Sequence, residues 1–151
     1  MSASANTTGT SRTVPQTLAL VFGAVYLLVG IVGFFITGFD DFFGHSDDNL
    51  LGFMINGMHN VVHIVIGVAG LLLARTLAGA RTYGWLLAVG YGAAFIYGIL
   101  AVDESWDFLN LNWADNILHL VTAVVGAVIA LGKVHTVTEE RGMDASLRPE
   151  R

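Results

Sequence analysis

The sequence predicts an all-α membrane protein with four transmembrane helices in an up-down bundle. Hydrophobic residues make up 54% of the 151 residues and charged residues only 13%, and the mean hydropathy is +0.66. Soluble domains carry about 25% charged residues, so this composition indicates a membrane protein. A helix needs about 20 residues to cross a bilayer, and four apolar segments have about that length. They are residues 17–37, 51–74, 83–102 and 114–132.

The segments are predicted as helices because backbone groups in lipid must find their hydrogen bonds within the segment. Glycine is frequent in the chain, with 18 residues in total. In a soluble helix this would count against the prediction, but small residues let membrane helices approach one another closely. We therefore expect tightly packed helices.

The distribution of charge predicts the orientation. Arg12 precedes the first segment, Arg75 and Arg81 separate the second and third, and Lys133 and three arginines follow the fourth. The two loops on the other side carry acidic residues and no basic residue. The positive-inside rule then places both termini in the cytoplasm and both acidic loops outside.

The ends of the chain differ in composition from the predicted transmembrane domain, residues 17–132. Residues 1–16 are rich in Ser, Thr and Ala and are expected to be a disordered cytoplasmic tail. Residues 133–151 are expected to be a charged cytoplasmic tail. The absence of cysteine excludes disulfides and thiolate metal sites. Basic residues are few and not clustered, so we expect no nucleic acid as a partner. The apolar segments make the lipid bilayer the expected partner, and a homo-oligomer or a larger membrane complex is possible in addition.

Polar residues interrupt the second and fourth segments in a repeated pattern. Residues 59–63, His-Asn-Val-Val-His, align without gaps with residues 115–119, Asp-Asn-Ile-Leu-His, and in both segments a glycine follows the last histidine by seven residues. The first and third segments align more loosely, through Gly30 and Gly98. The pattern predicts two similar helical hairpins, related by an axis along the membrane normal.

These polar residues are expected to meet inside the bundle. At about 1.5 Å per residue, His63 and His119 lie about 18–21 Å from the cytoplasmic end, in the outer half of the membrane. Spacings of three, four and seven put the polar residues of each helix on one face. Polar groups are costly in hydrocarbon, so both faces should turn inward. The predicted polar core consists of Asn56, His59, Asn60, His63, Asp115, Asn116 and His119.

The four-segment layout and the two polar motifs resemble the small bacterial membrane proteins catalogued as domain of unknown function 4383. The resemblance covers roughly Val14 to Gly132. It implies the four-helix fold and a location in the bacterial plasma membrane. It carries no established catalytic or binding residue onto this chain.

Three hypotheses remain for the polar core. In the first, the side chains hydrogen-bond one another across helices and fix the register of a structural or accessory bundle. In the second, they bind a cofactor, because imidazole is the commonest metal ligand. His59, His63 and His119 with Asp115 would then bind a transition metal, or His63 and His119 would ligate a haem from both sides.

The third hypothesis is the conduction of protons or small solutes, because intramembrane His and Asp often belong to proton relays. The cytoplasmic halves of the helices offer few polar residues for such a path. Enzyme activity has little support, since the chain has no phosphate-binding glycine loop, metalloprotease motif or nucleophile elbow.

Overall fold

The computed structural model describes residues 12–134, which form four helices and one short β-hairpin. The elements are α1 (Val14–Thr37), β1 (Asn49–Leu50), β2 (Phe53–Met54), α2 (Gly57–Leu73), α3 (Leu77–Ala101) and α4 (Trp113–Leu131). Strands β1 and β2 pair antiparallel, and we call them the β-ribbon. Helices α1, α3 and α4 are long and apolar enough to cross a membrane, whereas α2 is apolar but has 17 residues. The two predicted tails lie largely outside the described residues.

Two helices begin at positions other than those predicted. The second segment was expected from residue 51, but residues 49–54 form the β-ribbon and α2 begins only at Gly57. The third segment was expected from residue 83, but α3 begins at Leu77. It begins there because Thr76 caps the helix, its hydroxyl accepting a hydrogen bond from Gly79 N at 3.0 Å. Arg81 consequently lies in α3 and not in a loop. Helices α1 and α4 agree with the predicted bounds to within three residues.

Glycines bring the helices of each pair into backbone contact. Helix α1 packs mainly on α2, and α3 mainly on α4. A Cβ added at Gly70 of α2 would lie 2.6 Å from Gly23 Cα of α1, and one added at Gly126 of α4 would lie 2.7 Å from Gly84 O of α3. Neither site can hold a larger side chain without separating the helices. We call α1 with α2 the first helical hairpin, and α3 with α4 the second.

The two helical hairpins repeat one packing arrangement. Gly33 of α1 lies against the Asn60 amide of α2, and Gly98 of α3 lies against the Asn116 amide of α4, so that a Cβ at either glycine would overlap the amide. The structural equivalent of Gly98 is therefore Gly33. The predicted alignment with Gly30 is wrong, because Gly30 lies one turn away, against Asn60 O and Ile64.

The interior of the molecule differs between its two ends. At the end that carries the β-ribbon and residues 102–112, which we call the ribbon end, the interior holds the polar side chains. Toward the opposite end the interior is apolar, and Ala19, Ala80, Leu87 and Ile129 are at most 1% exposed. Fewer contacts join the two helical hairpins than join the helices within each. Cavities lie along the seams between the hairpins.

Candidate functional site

All seven residues of the predicted polar core are buried, with exposed fractions from 0% to 7%. The structure brings them to the ribbon end, but it divides them into two sets with different surroundings. The asparagines and the aspartate hydrogen-bond mainly to backbone groups. The histidines line a cavity.

Asn56 does not belong to the helical face that its spacing predicted. It is the N-cap of α2, and its Oδ1 accepts a hydrogen bond from His59 N at 2.9 Å. Its Nδ2 donates to Phe108 O at 3.0 Å and to Gly44 O at 3.2 Å. One side chain thus starts α2 and joins two loops.

Asp115 has a structural partner set of the same kind. Its Oδ2 accepts hydrogen bonds from Met54 N and Asn112 N, both at 3.2 Å. Asn112 in turn caps α4 by accepting from Asp115 N at 2.9 Å. Together these two side chains form a capping box and hold the β-ribbon against the start of α4. The carboxylate is therefore engaged in local structure.

Asn60 and Asn116 pack as wedges between the helices of their hairpins. Asn60 Nδ2 donates to Thr37 Oγ1 at 3.0 Å, whereas Asn60 Oδ1 has no partner within residues 12–134. In the amide orientation that pairs both of its atoms, Asn116 Nδ2 donates to Phe95 O at 3.0 Å and its oxygen accepts from Ile99 N at 3.3 Å. These contacts fix the register of each hairpin.

The three histidines form a closed ring with two tyrosines. The ring centroids of His59 and His63 are 4.5 Å apart, those of His63 and Tyr26 are 5.2 Å apart, and those of Tyr26 and Tyr91 are 5.3 Å apart. His119 closes the circuit at 5.4 Å from Tyr91 and 6.3 Å from His59. All five side chains are at most 7% exposed. Aromatic pairs at these separations attract one another.

The imidazoles of this ring leave hydrogen-bonding capacity unused. Nδ1 of His59, His63 and His119 is buried and has no hydrogen-bond partner among the described residues. The same holds for the hydroxyl of Tyr91. A cavity of about 150 Å³ is lined by these four side chains together with Val62, Ile66, Gly90, Ala94 and Leu109. Buried polar atoms without partners are costly, so a cavity beside them is suited to a polar occupant.

The four predicted metal ligands are not assembled into a metal centre. Within residues 12–134, no group of three or more His, Cys, Asp or Glu side chains is arranged to hold a metal ion. Asp115 is engaged with backbone N–H groups instead. The cavity of about 150 Å³ is also smaller than the about 300 Å³ at which pockets for drug-sized ligands begin.

Hydrogen bonds join the two ribbon-end loops beside the site. Asn110 Nδ2 donates to Ser46 O at 3.0 Å and to Ile55 O at 3.2 Å, and Asn112 Nδ2 donates to Gly52 O at 2.8 Å. His45 Nε2 donates to Asp107 O at 2.7 Å. The loops therefore form one connected cap over the histidines.

Asp107 organises this cap, a role that the sequence analysis did not assign to it. The side chain is 3% exposed. Its Oδ2 accepts from Leu111 N at 2.6 Å, and its Oδ1 accepts from Leu109 N at 3.1 Å and from the Tyr97 hydroxyl at 3.2 Å. Leu109 lines the cavity of about 150 Å³ beside the three histidines, which we call the histidine cavity. Asp107 therefore positions part of the wall of this cavity.

Sequence reasoning missed Tyr26 and Tyr91 as members of the site. Both look like ordinary apolar positions in long hydrophobic helices. A signal was nevertheless present, because the shift along the chain that pairs Gly33 with Gly98 also pairs Tyr26 with Tyr91. An alignment based on Gly33 and Gly98 places the two tyrosines at equivalent positions. Each lies about two helical turns before the glycine that contacts the asparagine wedge.

Comparison with known proteins identifies the family of the chain. Neither the search of curated proteins nor the search of solved structures finds a match. The model of the family described as Domain of unknown function (DUF4383) matches residues 16–132, which include all four helices except the first two residues of α1. The chain therefore belongs to the DUF4383 family.

Proposed function

We propose that this protein is a four-span protein of the bacterial plasma membrane that binds a small polar molecule in the histidine cavity. The observation that carries the proposal is the set of three imidazole Nδ1 atoms, which are buried beside a cavity and have no partner among the described residues. A bound molecule with hydrogen-bonding groups would satisfy them once the imidazole rings turn toward the cavity, because the Nδ1 atoms themselves are buried.

A purely structural role accounts for Asn56, Asn116 and Asp115 but not for the histidines. A network that fixes helix register should pair its members with one another or with the backbone. Asn56, Asn116 and Asp115 meet that requirement. The imidazoles contact each other only as tilted rings, and their Nδ1 atoms have no partner among the described residues. This difference favours a ligand site supported by a structural scaffold.

Conduction across the membrane has weaker support than binding. Below the ring, the interior is filled by Leu87, Ile129 and small residues that are at most 3% exposed. Among the described residues of this layer, the Tyr83 hydroxyl is a buried polar group without a hydrogen-bond partner, and one such group is not enough for a chain of water molecules or protons. The interior beyond the cavity is thus mainly apolar, which favours binding over conduction.

The size of the cavity sets the class of ligand. An engineered apolar cavity of about 150 Å³ holds benzene, a molecule of six heavy atoms. The cavity here has a similar volume but presents imidazole and phenol groups. We therefore expect a polar molecule of about six heavy atoms or fewer, or a cluster of ordered waters.

The charges support an orientation with both termini in the cytoplasm. Arg75 O accepts from Gln16 Nε2 at 3.1 Å and Arg81 donates to Gly132 O at 3.4 Å, which groups the basic residues at the end opposite the β-ribbon. The ribbon end carries the acidic loops and would face outward. The alternating direction of four spans would form the up-down bundle. Association with itself or with a larger membrane complex stays a prediction.

The orientation can be tested with single cysteines, because the chain contains none of its own. Asp47→Cys lies at the ribbon end and Ala78→Cys at the opposite end, and both positions are exposed. In intact cells a membrane-impermeant maleimide should label only the first variant. Labelling of Ala78→Cys without permeabilisation would contradict the proposed topology.

Ligand binding can be tested by thermal unfolding of the purified protein in mild detergent. A panel of hydrogen-bonding molecules of up to six heavy atoms is screened beside zinc, copper and nickel salts. A ligand at 100 times its dissociation constant should stabilise the fold by about 2.7 kcal/mol. His119→Leu should abolish this shift, whereas Tyr83→Phe, which removes a buried hydroxyl outside the cavity, should preserve it.

The outcome separates the hypotheses. A shift that depends on His119 and comes from a small organic molecule supports the proposal. A shift that comes from a metal salt alone and is lost in His119→Leu would favour the metal hypothesis over it. If no compound changes the unfolding temperature of the wild-type protein, the proposed binding function is wrong.

A further inference from the structure

A second cavity lies on the other seam between the helical hairpins, between α1 and α4. It has a volume of about 350 Å³ and is bordered by Phe22, Val25 and Val29 of α1, by Leu118 and Val121 of α4, and by Leu51 of the β-ribbon. We call it the α1–α4 groove. We propose that a hydrocarbon chain of a bilayer phospholipid occupies this groove.

The groove presents mainly hydrocarbon because most of the polar groups along it are paired or buried. The Tyr26 hydroxyl and Thr122 Oγ1 hydrogen-bond each other at 2.7 Å. The Asp115 carboxylate accepts from Met54 N and Asn112 N. His63 also borders the groove but is only 7% exposed. A polar ligand would find few partners here and would lose its hydrogen bonds to water, whereas a hydrocarbon chain loses nothing.

The mouth of the groove continues into the apolar outer surface of two candidate membrane spans. Val25 of α1 is 51% exposed and Val121 of α4 is 52% exposed, and both border the groove. On membrane-spanning helices such side chains lie against lipid. The volume is within the about 300–1,000 Å³ typical of small-molecule sites. The bilayer is therefore the nearest source of an occupant.

Leu51 supplies an independent indication of an apolar occupant. It forms the two-residue turn of the β-ribbon with Gly52, and both have positive φ, 58° and 92°. Such turns favour Asn-Gly, and a leucine in the left-handed region costs about 1–2 kcal/mol. The Leu51 side chain is nevertheless 87% exposed, so packing within the protein does not offset this cost.

A lipid chain in the groove would explain this choice of residue. It would cover the Leu51 side chain and make that leucine the roof of the site. A strained residue that persists without internal compensation is expected where the strain serves binding. Leu51, the open apolar mouth and the paired polar groups thus point to the same ligand.

The test measures the phospholipid retained by the full chain after extraction and washing in mild detergent, by native mass spectrometry. The wild-type protein should retain one phospholipid. Leu51→Asn removes the roof, and Val121→Phe fills the groove, so each should lower retention about tenfold, the factor that corresponds to about 1.4 kcal/mol of binding free energy. Val124→Phe is the matched control, because Val124 is 58% exposed on α4 but does not border the groove.

Two further measurements make the result decisive. Leu51→Asn should raise the unfolding temperature while it lowers lipid retention, since asparagine suits the turn, so loss of lipid cannot be ascribed to unfolding. His119→Leu should leave lipid retention unchanged, which keeps this inference separate from the histidine cavity. Equal retention in Leu51→Asn, Val121→Phe and Val124→Phe would overturn the proposal. Retention of an apolar molecule other than a phospholipid would overturn it as well.

Discussion

The two helical hairpins place matching residues at matching positions, with one prominent exception. Each hairpin has an asparagine cap, an asparagine wedge against a glycine, and a histidine beside a tyrosine. At the position one turn above that histidine, the first hairpin has His59 and the second has Asp115. His59 lines the cavity, whereas Asp115 accepts two backbone hydrogen bonds.

This comparison separates scaffold from site. The repeated asparagines and glycines hold each hairpin together, and their repetition indicates that both hairpins need them in the same way. The exception makes the ring asymmetric, because three imidazoles and not two face the cavity. At this position the first hairpin places an imidazole beside the cavity, whereas the second places a carboxylate that holds the β-ribbon.

The largest effect is expected from breaking the helix contact in either hairpin. Gly70→Ala and Gly126→Ala each place a Cβ against backbone atoms of the partner helix. Overpacking of this kind costs about 1–3 kcal/mol. We expect about 3 kcal/mol, because backbone atoms cannot relieve the contact by changing rotamer as a side chain can. Unfolding in mixed detergent micelles measures the loss. Similar losses in both variants are expected if the hairpins are equivalent.

Gly92→Ala is the control for these two substitutions. A Cβ at Gly92 would meet nothing within 4 Å. Its stability should stay the same or rise slightly, as alanine is the better helix former. If Gly92→Ala lost as much stability as Gly70→Ala, the loss would not come from helix contact.

A second prediction addresses the exceptional position itself. Asp115→Leu leaves Met54 N and Asn112 N without their acceptor, and we expect it to lower the free energy of unfolding by about 2 kcal/mol. His59→Leu removes an imidazole whose Nδ1 has no partner in the described chain, so its stability should be unchanged or higher. The same unfolding assay compares the two, and a larger loss in His59→Leu would reverse the assignment of scaffold and site.

The sequence was sufficient to predict the helical fold and the burial of the site, for a simple physical reason. A polar side chain in an apolar segment of this length is costly against lipid, so it is expected to lie in the interior of the bundle. The period of the polar residues then identifies the inward face. The same logic could not predict that Asn56 and Asp115 would be engaged in capping, because the start of α2 depends on the β-ribbon, whose leucine-glycine turn is an unusual one.

The partners of the histidines were equally hidden. Tyr26 and Tyr91 are recognised only when the helices are aligned by their contacts, and Asp107 acts through a loop conformation that no periodicity describes. Long-range hydrogen bonds such as that from Asn110 to Ser46 O join segments far apart in the chain. Patterns within one segment carry no information about such pairs.

The smallest predicted effect distinguishes the two asparagine wedges. Asn116 makes two hydrogen bonds to the backbone of α3, whereas Asn60 makes one, to Thr37. A hydrogen bond between membrane helices contributes about 0.6 kcal/mol on average, so Asn116→Ala should cost about 0.6 kcal/mol more than Asn60→Ala. Both variants remove the same side chain from a fully buried site, so the loss of packing largely cancels in the difference. Thr37→Val removes the partner of Asn60 alone, and in that background Asn60→Ala should cost about 0.6 kcal/mol less. If the two asparagine variants proved equal, the hairpins would be more alike in energy than they are in hydrogen bonding. If Thr37→Val left the cost of Asn60→Ala unchanged, the hydrogen bond between Asn60 and Thr37 would contribute nothing to stability.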